Sequence, residues 1–195
     1  MQHSEARERV LLAAERLFAE RGYAAVTVKD IAAAAGIHHA SLYHHAPQGK
    51  TQLFVEVTER TIARHQAGIA DAILSAGDDL RAQLYAIAAW MLTQPPLDMI
   101  RMVHSDVPAL DADSGQHLLG YAYAAIQMPI EAVFQQAQQH GEIQPLDSGN
   151  LAGALFSMIQ GTFTLPNAYL HRSRQALANE IIDVLLTGLQ YQKLR

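Results

Sequence analysis

The chain has 195 residues, half of them hydrophobic and 17% charged, which excludes a disordered protein and permits a substantial core. The absence of cysteine excludes disulfide scaffolds, thiolate zinc sites and cysteine nucleophiles. No apolar run reaches the roughly 18 residues of a membrane-spanning helix. The first residues also lack the basic and apolar blocks of a signal peptide, so we expect a soluble, cytoplasmic protein.

The net charge of −5 is unevenly distributed. Residues 1–60 contain seven Lys or Arg, seven Asp or Glu and five of the ten histidines, so their formal charge is zero. Residues 61–195 contain seven basic and twelve acidic residues and carry the entire excess. This asymmetry predicts two modules with different functions.

Hydrophobic periodicity predicts three helices near the N-terminus. The apolar positions of residues 10–18 fall on one stripe of a helix that should end at Gly22. A capping box at residues 27–30 opens a short second helix that ends at Gly36. A third short helix covers residues 38–45. Two short helices joined at a glycine are typical of the helix-turn-helix, whose last helix enters the major groove of DNA.

The rest of the chain is also predicted to be helical. A long helix runs from Lys50 to Ala76, and the last helix runs from about Ser173 to Leu194. Between them, helical patterns follow Asp79, Leu97, Ser114 and Ser148. Pro129 should kink the helical run that starts at Ser114 and should free a carbonyl one turn earlier. No strand-like alternation exceeds four residues, so the predicted fold class is all-α.

Five short segments resemble the N-terminal domain of the tetracycline-repressor (TetR) family; they are residues 10–23, 27–32, 35–37, 41–45 and 49–50. The resemblance implies a helix-turn-helix DNA-binding domain over residues 1–49 and a helical effector-binding and dimerisation domain over residues 50–195. It further implies a homodimeric transcriptional repressor that a small molecule releases from a palindromic DNA operator.

The resemblance also assigns the DNA contacts. Base-reading positions are taken by His38, His39 and Ala40, and the remaining contacts to the DNA are expected from Thr27, Lys29, Ser41, Tyr43, His44 and Lys50. The family often has a capping serine at the position of His38, and an aromatic residue at that of Ala46. The third helix contains no Lys or Arg, so phosphate neutralisation should be modest unless its histidines become charged.

Other chemistries find little support. The histidines of the third helix have no carboxylate partner in that helix, so we expect no metal site and no cofactor. The Gly49-Lys50-Thr51 sequence lacks the earlier glycine of a phosphate-binding loop, and no nucleophile elbow occurs. We therefore predict no enzyme. The main alternative is a helical ligand-binding protein with weak or lost DNA binding; a small helical enzyme is the second.

The last two predicted helices carry apolar stripes at helical spacing. In the TetR family the corresponding helices pack against those of a partner as a four-helix bundle. The interface predicted on this basis consists of Leu155, Ile159, Thr162, Ile181, Leu185 and Gly188. The alternative is that both stripes face the core of their own chain.

Aromatic and methionine residues concentrate between residues 84 and 134. In this segment Arg101 is the only basic residue of the Lys and Arg type. This composition predicts an apolar pocket for a hydrophobic effector that is neutral or cationic, because a buried anion would lack partners. The predicted lining is Trp90, Met91, Met102, His104, Tyr121, Tyr123 and Met128. The alternative is a well-filled core without a ligand.

Overall fold

The computed structural model describes residues 2–166, 168 and 170–189, and their regular elements are all helical. The first four helices are α1 (Gln2–Ala25), α2 (Val28–Ala34), α3 (His39–His45) and α4 (Lys50–Ala76). The others are α5 (Leu80–Thr93), α6 (Met99–Arg101), α7 (Ala112–Ala122), α8 (Met128–Gln139), α9 (Ser148–Gly161) and α10 (Arg174–Leu189). The predicted all-α fold is confirmed. Over these residues, no helix is both long and apolar enough to span a membrane.

Two wide turns interrupt the helices. Residues 102–106 continue α6 as a π-helical turn, and residues 123–127 form a second one between α7 and α8. Pro129 explains the second turn, because it has no N–H to offer to a carbonyl one turn earlier. The chain widens just before it, and the N–H of Met128 donates to the carbonyl of Tyr123. The helical run that starts at α7 is thus interrupted by a π-helical turn just before Pro129.

Contacts divide the chain into two compact units. The first unit consists of Met1–Ala63 and Leu97–Tyr121, and the second consists of Arg64–Pro96 and Ala122–Arg195. Helix α4 contributes to both units. This grouping differs from the sequence-based division at residue 50, because residues 97–121 pack with the first 63 residues.

The core of the first unit holds α1, α2 and α3 together. Ile31 and Leu42 are fully buried, which secures one face each of α2 and α3. Phe18 and Tyr23 both pack edge-on against Phe54 of α4, with ring centroids 5.1 and 5.0 Å apart. Burial of each such side chain contributes about 2 kcal/mol to the stability of the fold. Apolar packing on its inner face therefore holds α3 in place.

The second unit is built around helices α5, α8, α9 and α10. Their inward side chains are completely buried, as shown by Ile87, Phe134, Leu155, Ile159 and Ile182. The C-terminal end of α10 is tied back by a hydrogen bond from the N–H of Gln144 to the carbonyl of Leu189, at 2.9 Å.

Candidate nucleic-acid interface and effector site

Helix α3 begins with a histidine cap. His38 has an extended backbone (φ −69°, ψ 139°), and its Nδ1 accepts a hydrogen bond from the N–H of Ala40 at 3.4 Å. The histidine therefore performs the capping role for which serine is the common choice. At the other end, Ala46 is fully buried and its N–H donates to the carbonyl of Leu42. A small residue thus closes α3 tightly against the core.

The predicted contact residues of α3 share its outer face. His39, Ala40, Tyr43 and His44 are exposed, Ser41 is half-buried, and Leu42 points into the core. The rings of His38 and His39 lie 5.1 Å apart. One face of a short, anchored helix thus offers imidazole, phenol and hydroxyl groups to a partner, the residue types that contact base edges and phosphates.

The capping box predicted at the start of α2 is confirmed. The N–H of Asp30 donates to Oγ1 of Thr27 at 3.2 Å, and Oδ2 of Asp30 accepts from the N–H and the hydroxyl of Thr27 at 2.8 and 2.6 Å. These hydrogen bonds lower the pKa of the Asp30 carboxyl. Thr27 and Lys29 are both exposed. The box fixes the start of α2.

Lys50 has an internal partner that the sequence did not reveal. Its Nζ donates to the carbonyl oxygen of Tyr23 at 3.0 Å and lies 3.9 Å from the centroid of the Tyr23 ring. The Tyr23 hydroxyl is in turn 2.8 Å from Oγ1 of Thr51. Lys50 therefore joins the start of α4 to the end of α1, a structural role separate from the predicted contact with DNA phosphate.

The predicted dimer interface needs a correction. Leu155, Ile159 and Thr162 are buried inside their own chain, so they are not available to a partner. Ile181 and Leu185 are half-buried and Gly188 is exposed. A row of exposed or half-buried apolar positions on α9 and the turn after it instead consists of Leu151, Ala154, Met158, Gly161 and Leu165; the corresponding row on α10 consists of Leu177, Ile181, Val184 and Gly188. We call these two rows the outer stripes.

The predicted effector pocket is only partly internal. Met91 and Met102 are buried, and Trp90 and Tyr121 are half-buried. His104, Tyr123 and Met128 are exposed, so they do not line an enclosed cavity in the chain. The seven residues also fall in two units: Met102, His104 and Tyr121 belong to the first, and Trp90, Met91, Tyr123 and Met128 to the second.

Two tyrosines of the predicted pocket have local partners. The hydroxyl of Tyr123 donates to Oε2 of Glu131 at 3.2 Å, and this carboxylate raises the pKa of the phenol. Tyr121 stacks on His117, whose Nε2 lies 2.6 Å from Oε1 of Glu59. These three residues line a surface groove of ≈ 450 Å³ in the first unit.

The second unit contains a buried histidine that the sequence analysis missed. His65 is fully buried, and its two ring nitrogens have no hydrogen-bond partner among the described residues. Burial, together with the nearby Arg64, lowers the pKa of His65 to about 4. The sequence of α4 could have indicated this burial, because His65 lies on the same helical face as Ile62 and Ile69. Both isoleucines are also fully buried.

Trp90 lies over the same helix. A Cβ atom placed on Gly68 would lie 1.9 Å from Cε2 of Trp90, so the indole occupies the space that a side chain would need. The indole Nε1 is buried without a partner among the described residues, as are both polar atoms of the Gln160 amide. Unpaired buried polar groups are uncommon in proteins. The second unit therefore offers unused donors and acceptors.

No group of three His, Asp or Glu residues suited to hold a metal ion occurs in the part of the chain that the structure describes.

Residues 10–57 match the family of bacterial regulatory proteins named after tetR. Over these residues the chain is similar to the tetR family, as the sequence resemblance implied. The match covers α2 and α3, most of α1 and the first residues of α4.

Curated relatives that the chain matches over part of its length are transcriptional regulators. The chain is 38% identical over 113 residues to the HTH-type transcriptional repressor KstR2 of Rhodococcus jostii (strain RHA1), covering 58% of this chain and 52% of the relative. It is 35% identical over 78 residues to the HTH-type transcriptional regulator LmrA of Bacillus subtilis (strain 168), covering 40% and 42%. The chain thus spans about half the length of these curated relatives.

A solved structure shares the fold across nearly the whole chain. The crystal structure of AibR in complex with isovaleryl coenzyme A and operator DNA superimposes on this chain with a TM-score of 0.76. The alignment covers 92% of this chain and 97% of AibR at 21% sequence identity. At this identity the similarity shows a common fold.

Proposed function

We propose that the chain is a homodimeric transcriptional repressor that binds a palindromic operator through α3 and is released by a small hydrophobic effector. The observation that carries this proposal is the geometry of α3, in which buried Leu42 anchors the helix while His39, Tyr43 and His44 are exposed together. The family match over the same residues and the repressor among the relatives support it.

In the proposed complex, the start of α3 reads bases and its surroundings hold the DNA backbone. Base contacts come from His38, His39 and Ala40; the other contacts come from Thr27, Lys29, Ser41, Tyr43, His44 and Lys50. Histidine offers a donor and an acceptor to base edges. Because the third helix has no Lys or Arg, a larger share of the phosphate contacts falls to positions outside it.

The test is binding of DNA from the region flanking the gene, followed by fluorescence anisotropy. We expect wild-type protein to bind one segment in preference to random DNA, and His39→Ala to lose this preference by roughly 1–3 kcal/mol. His140→Ala is the matched control, since His140 is exposed after α8 and far along the chain from α3. Wild-type protein without sequence preference contradicts the proposal and favours the ligand-binding alternative, which the lack of Lys and Arg in α3 supports.

For the homodimer we propose the outer stripes as the interface. Val184 is 74% exposed in the centre of the α10 stripe, and an isolated apolar row of this kind is stabilised by a partner surface. Val184→Asp should produce a monomer in light scattering and abolish tight operator binding. Leu74→Asp is the control, because Leu74 is 81% exposed on α4 outside the stripes. A wild-type monomer that binds a palindrome tightly contradicts this interface.

For the effector we propose a site in the second unit next to His65 and Trp90. The low pKa of His65 keeps its imidazole neutral at physiological pH, so that it offers one donor and one acceptor. A neutral, largely apolar compound with a hydrogen-bonding oxygen satisfies these groups without burying a charge. Met91 adds a buried apolar wall on the same helix as Trp90.

Trp90 provides the readout for this site, because it is the only tryptophan of the chain. We would titrate neutral hydrophobic compounds, with isovaleryl coenzyme A as a charged comparison, and follow indole emission together with operator release. Compounds that release the operator should change Trp90 emission and should act less well on His65→Leu. Release without any change in emission and with equal potency on His65→Leu places the effector elsewhere.

A further inference from the structure

Helix α1 is broken near its end. Gly22 has φ 75° and ψ 169°, a backbone conformation that L side chains avoid. In an unbroken helix, the N–H of Tyr23 would donate to the carbonyl of Ala19. The break separates these two groups, of which the N–H of Tyr23 is buried and the carbonyl of Ala19 is exposed, and each finds another partner.

Two side chains that lie 82 and 83 residues further along the chain supply those partners. Oδ1 of Asp106 accepts from the N–H of Tyr23 at 2.7 Å. The guanidinium of Arg101 donates to the carbonyl of Ala19 at 3.0 Å and to that of Phe18 at 3.1 Å. The carboxylate of Asp106 thus replaces the lost acceptor of the Tyr23 N–H, and the guanidinium of Arg101 replaces the lost donor to the Ala19 carbonyl.

The two side chains also bind each other, and we call them the clasp. Nε of Arg101 lies 3.3 Å from Oδ2 of Asp106. Asp106 is 4% exposed, and a Cβ on Gly22 would lie 3.1 Å from its Oδ1. Charge-assisted hydrogen bonds in a buried place are stronger than those on the surface. The clasp therefore holds the end of α1 in one position.

The corner is held from another side by α4. Lys50 binds the carbonyl of Tyr23, and Thr51 binds its hydroxyl. Tyr23 is thereby fixed at its N–H, its carbonyl, its ring and its hydroxyl. Helices α2 and α3 follow this corner directly and pack on α1, so their direction depends on it.

We propose that Arg101 and Asp106 are positioning residues that set the angle at which α1, α2 and α3, the DNA-reading head, meet DNA. This inference rests on the proposed homodimeric repressor. Two heads must reach half-sites about 34–36 Å apart, one helical turn of DNA. A head that turns more freely at the α1 corner still recognises its half-site, but it discriminates less between half-site spacings.

The experiment compares half-site spacings. The operator is selected from a random-sequence library by wild-type protein, and then remade with one base pair inserted or removed between the half-sites. Affinities of wild type, Arg101→Lys, Arg101→Gln and Asp106→Asn are measured on all three DNAs. We expect the variants to lose about tenfold in their preference for the selected spacing, the size typical of a coupled buried network. Arg101→Lys removes the guanidinium that binds two carbonyls at once but keeps the positive charge beside Asp106. Because this charge is kept, the variant is expected to fold.

Arg81→Gln is the matched control, because it removes an ion pair to Asp183 in the second unit. It should retain the wild-type preference. Variants that weaken binding to all three spacings equally, or not at all, overturn the inference, because a merely structural role acts on every spacing alike. If wild-type protein selects no operator, the proposed function fails instead, and the two failures are thus distinguishable.

Discussion

The first and second units treat a buried polar side chain in opposite ways. Asp106 of the first unit is buried, and its two oxygens bind a backbone N–H and a guanidinium. His65 of the second unit is buried more completely, and its ring nitrogens have no partner among the described residues. Desolvation costs about 1–3 kcal/mol for a polar group left unpaired, whereas a paired one regains that cost.

This contrast separates two structural tasks. A surface that reads DNA must keep one shape, and a satisfied buried network contributes to a single conformation. A site that binds a ligand needs donors and acceptors that are not already used. The first unit carries the satisfied network and the second unit carries the unused groups, and the following predictions test this difference.

The largest effect is expected from Asp106→Ala. The substitution leaves the Tyr23 N–H unpaired and removes the partner of a partly buried Arg101, so the free energy of unfolding should fall by about 3–5 kcal/mol. Urea unfolding measures it. Arg81→Ala serves as the comparison, since Arg81 forms an exposed ion pair with Asp183, and losses below about 1 kcal/mol are usual for such pairs. Equal losses in the two variants would break the contrast.

The pH dependence of stability tests His65 next. Its pKa is about 4 in the folded chain and near the ordinary value of 6.5 when unfolded. Below pH 6.5 the unfolded chain takes up a proton that the folded chain refuses, so stability falls as the pH is lowered to 4. The contribution is at most about 3 kcal/mol. His65→Leu should flatten the curve in this window, and an unchanged curve would show that His65 is paired or solvated.

A smaller effect of opposite sign is expected from the same variant at pH 7.5. His65→Leu removes two unpaired nitrogens and fills the site with an apolar side chain. The free energy of unfolding of the ligand-free protein should therefore rise by about 1–2 kcal/mol. Thermal unfolding measures the gain. His65→Asn retains a polar group and should not produce it. A loss of stability in the leucine variant contradicts the view that His65 is unsatisfied.

The smallest effect concerns the surface of the head. Thr27→Ala removes the cap of α2 and should lower the free energy of unfolding by about 1 kcal/mol. Thr27→Ser keeps the capping oxygen and should stay near wild type. If both variants unfold alike, the hydrogen bonds between Thr27 and Asp30 contribute nothing measurable.

Local chemistry allowed much of the fold to be predicted. The bounds of α4, Lys50–Ala76, follow from a sustained apolar period between glycine-containing turns, and the box at Thr27 follows from short-range hydrogen bonding. Pro129 interrupts the helical hydrogen bonds because it has no N–H of its own. Each of these features depends on residues within about one helical turn, which the sequence displays directly.

The outer stripe of α9 was missed because α9 is apolar on two faces, whereas Ile181 and Gly188 of the α10 stripe were predicted. The row of Leu155 and Ile159 and the row of Leu151 and Met158 both obey the helical period. Periodicity states which residues share a face, but it does not state which face meets the chain's own core. Leu155, Ile159 and Thr162 were assigned to the partner, and the structure buries them within their own chain.

The clasp and His65 were missed for a different reason. Arg101 and Tyr23 are far apart in sequence, and no local pattern couples an aspartate at 106 to a broken helix at 22. His65 is a single polar residue on an apolar stripe, which is typical of a paired core histidine. Only the packed structure shows which buried groups have partners.

The central claim is that the outer face of α3 reads a specific DNA sequence for a dimer. Selection from a random-sequence library with wild-type protein and with His39→Ala in parallel tests it most directly. We predict a palindrome with half-sites 10–10.5 base pairs apart for the wild type, and an altered base preference at matching positions of both half-sites for the variant. No enriched sequence, or the same sequence for both proteins, would contradict the claim.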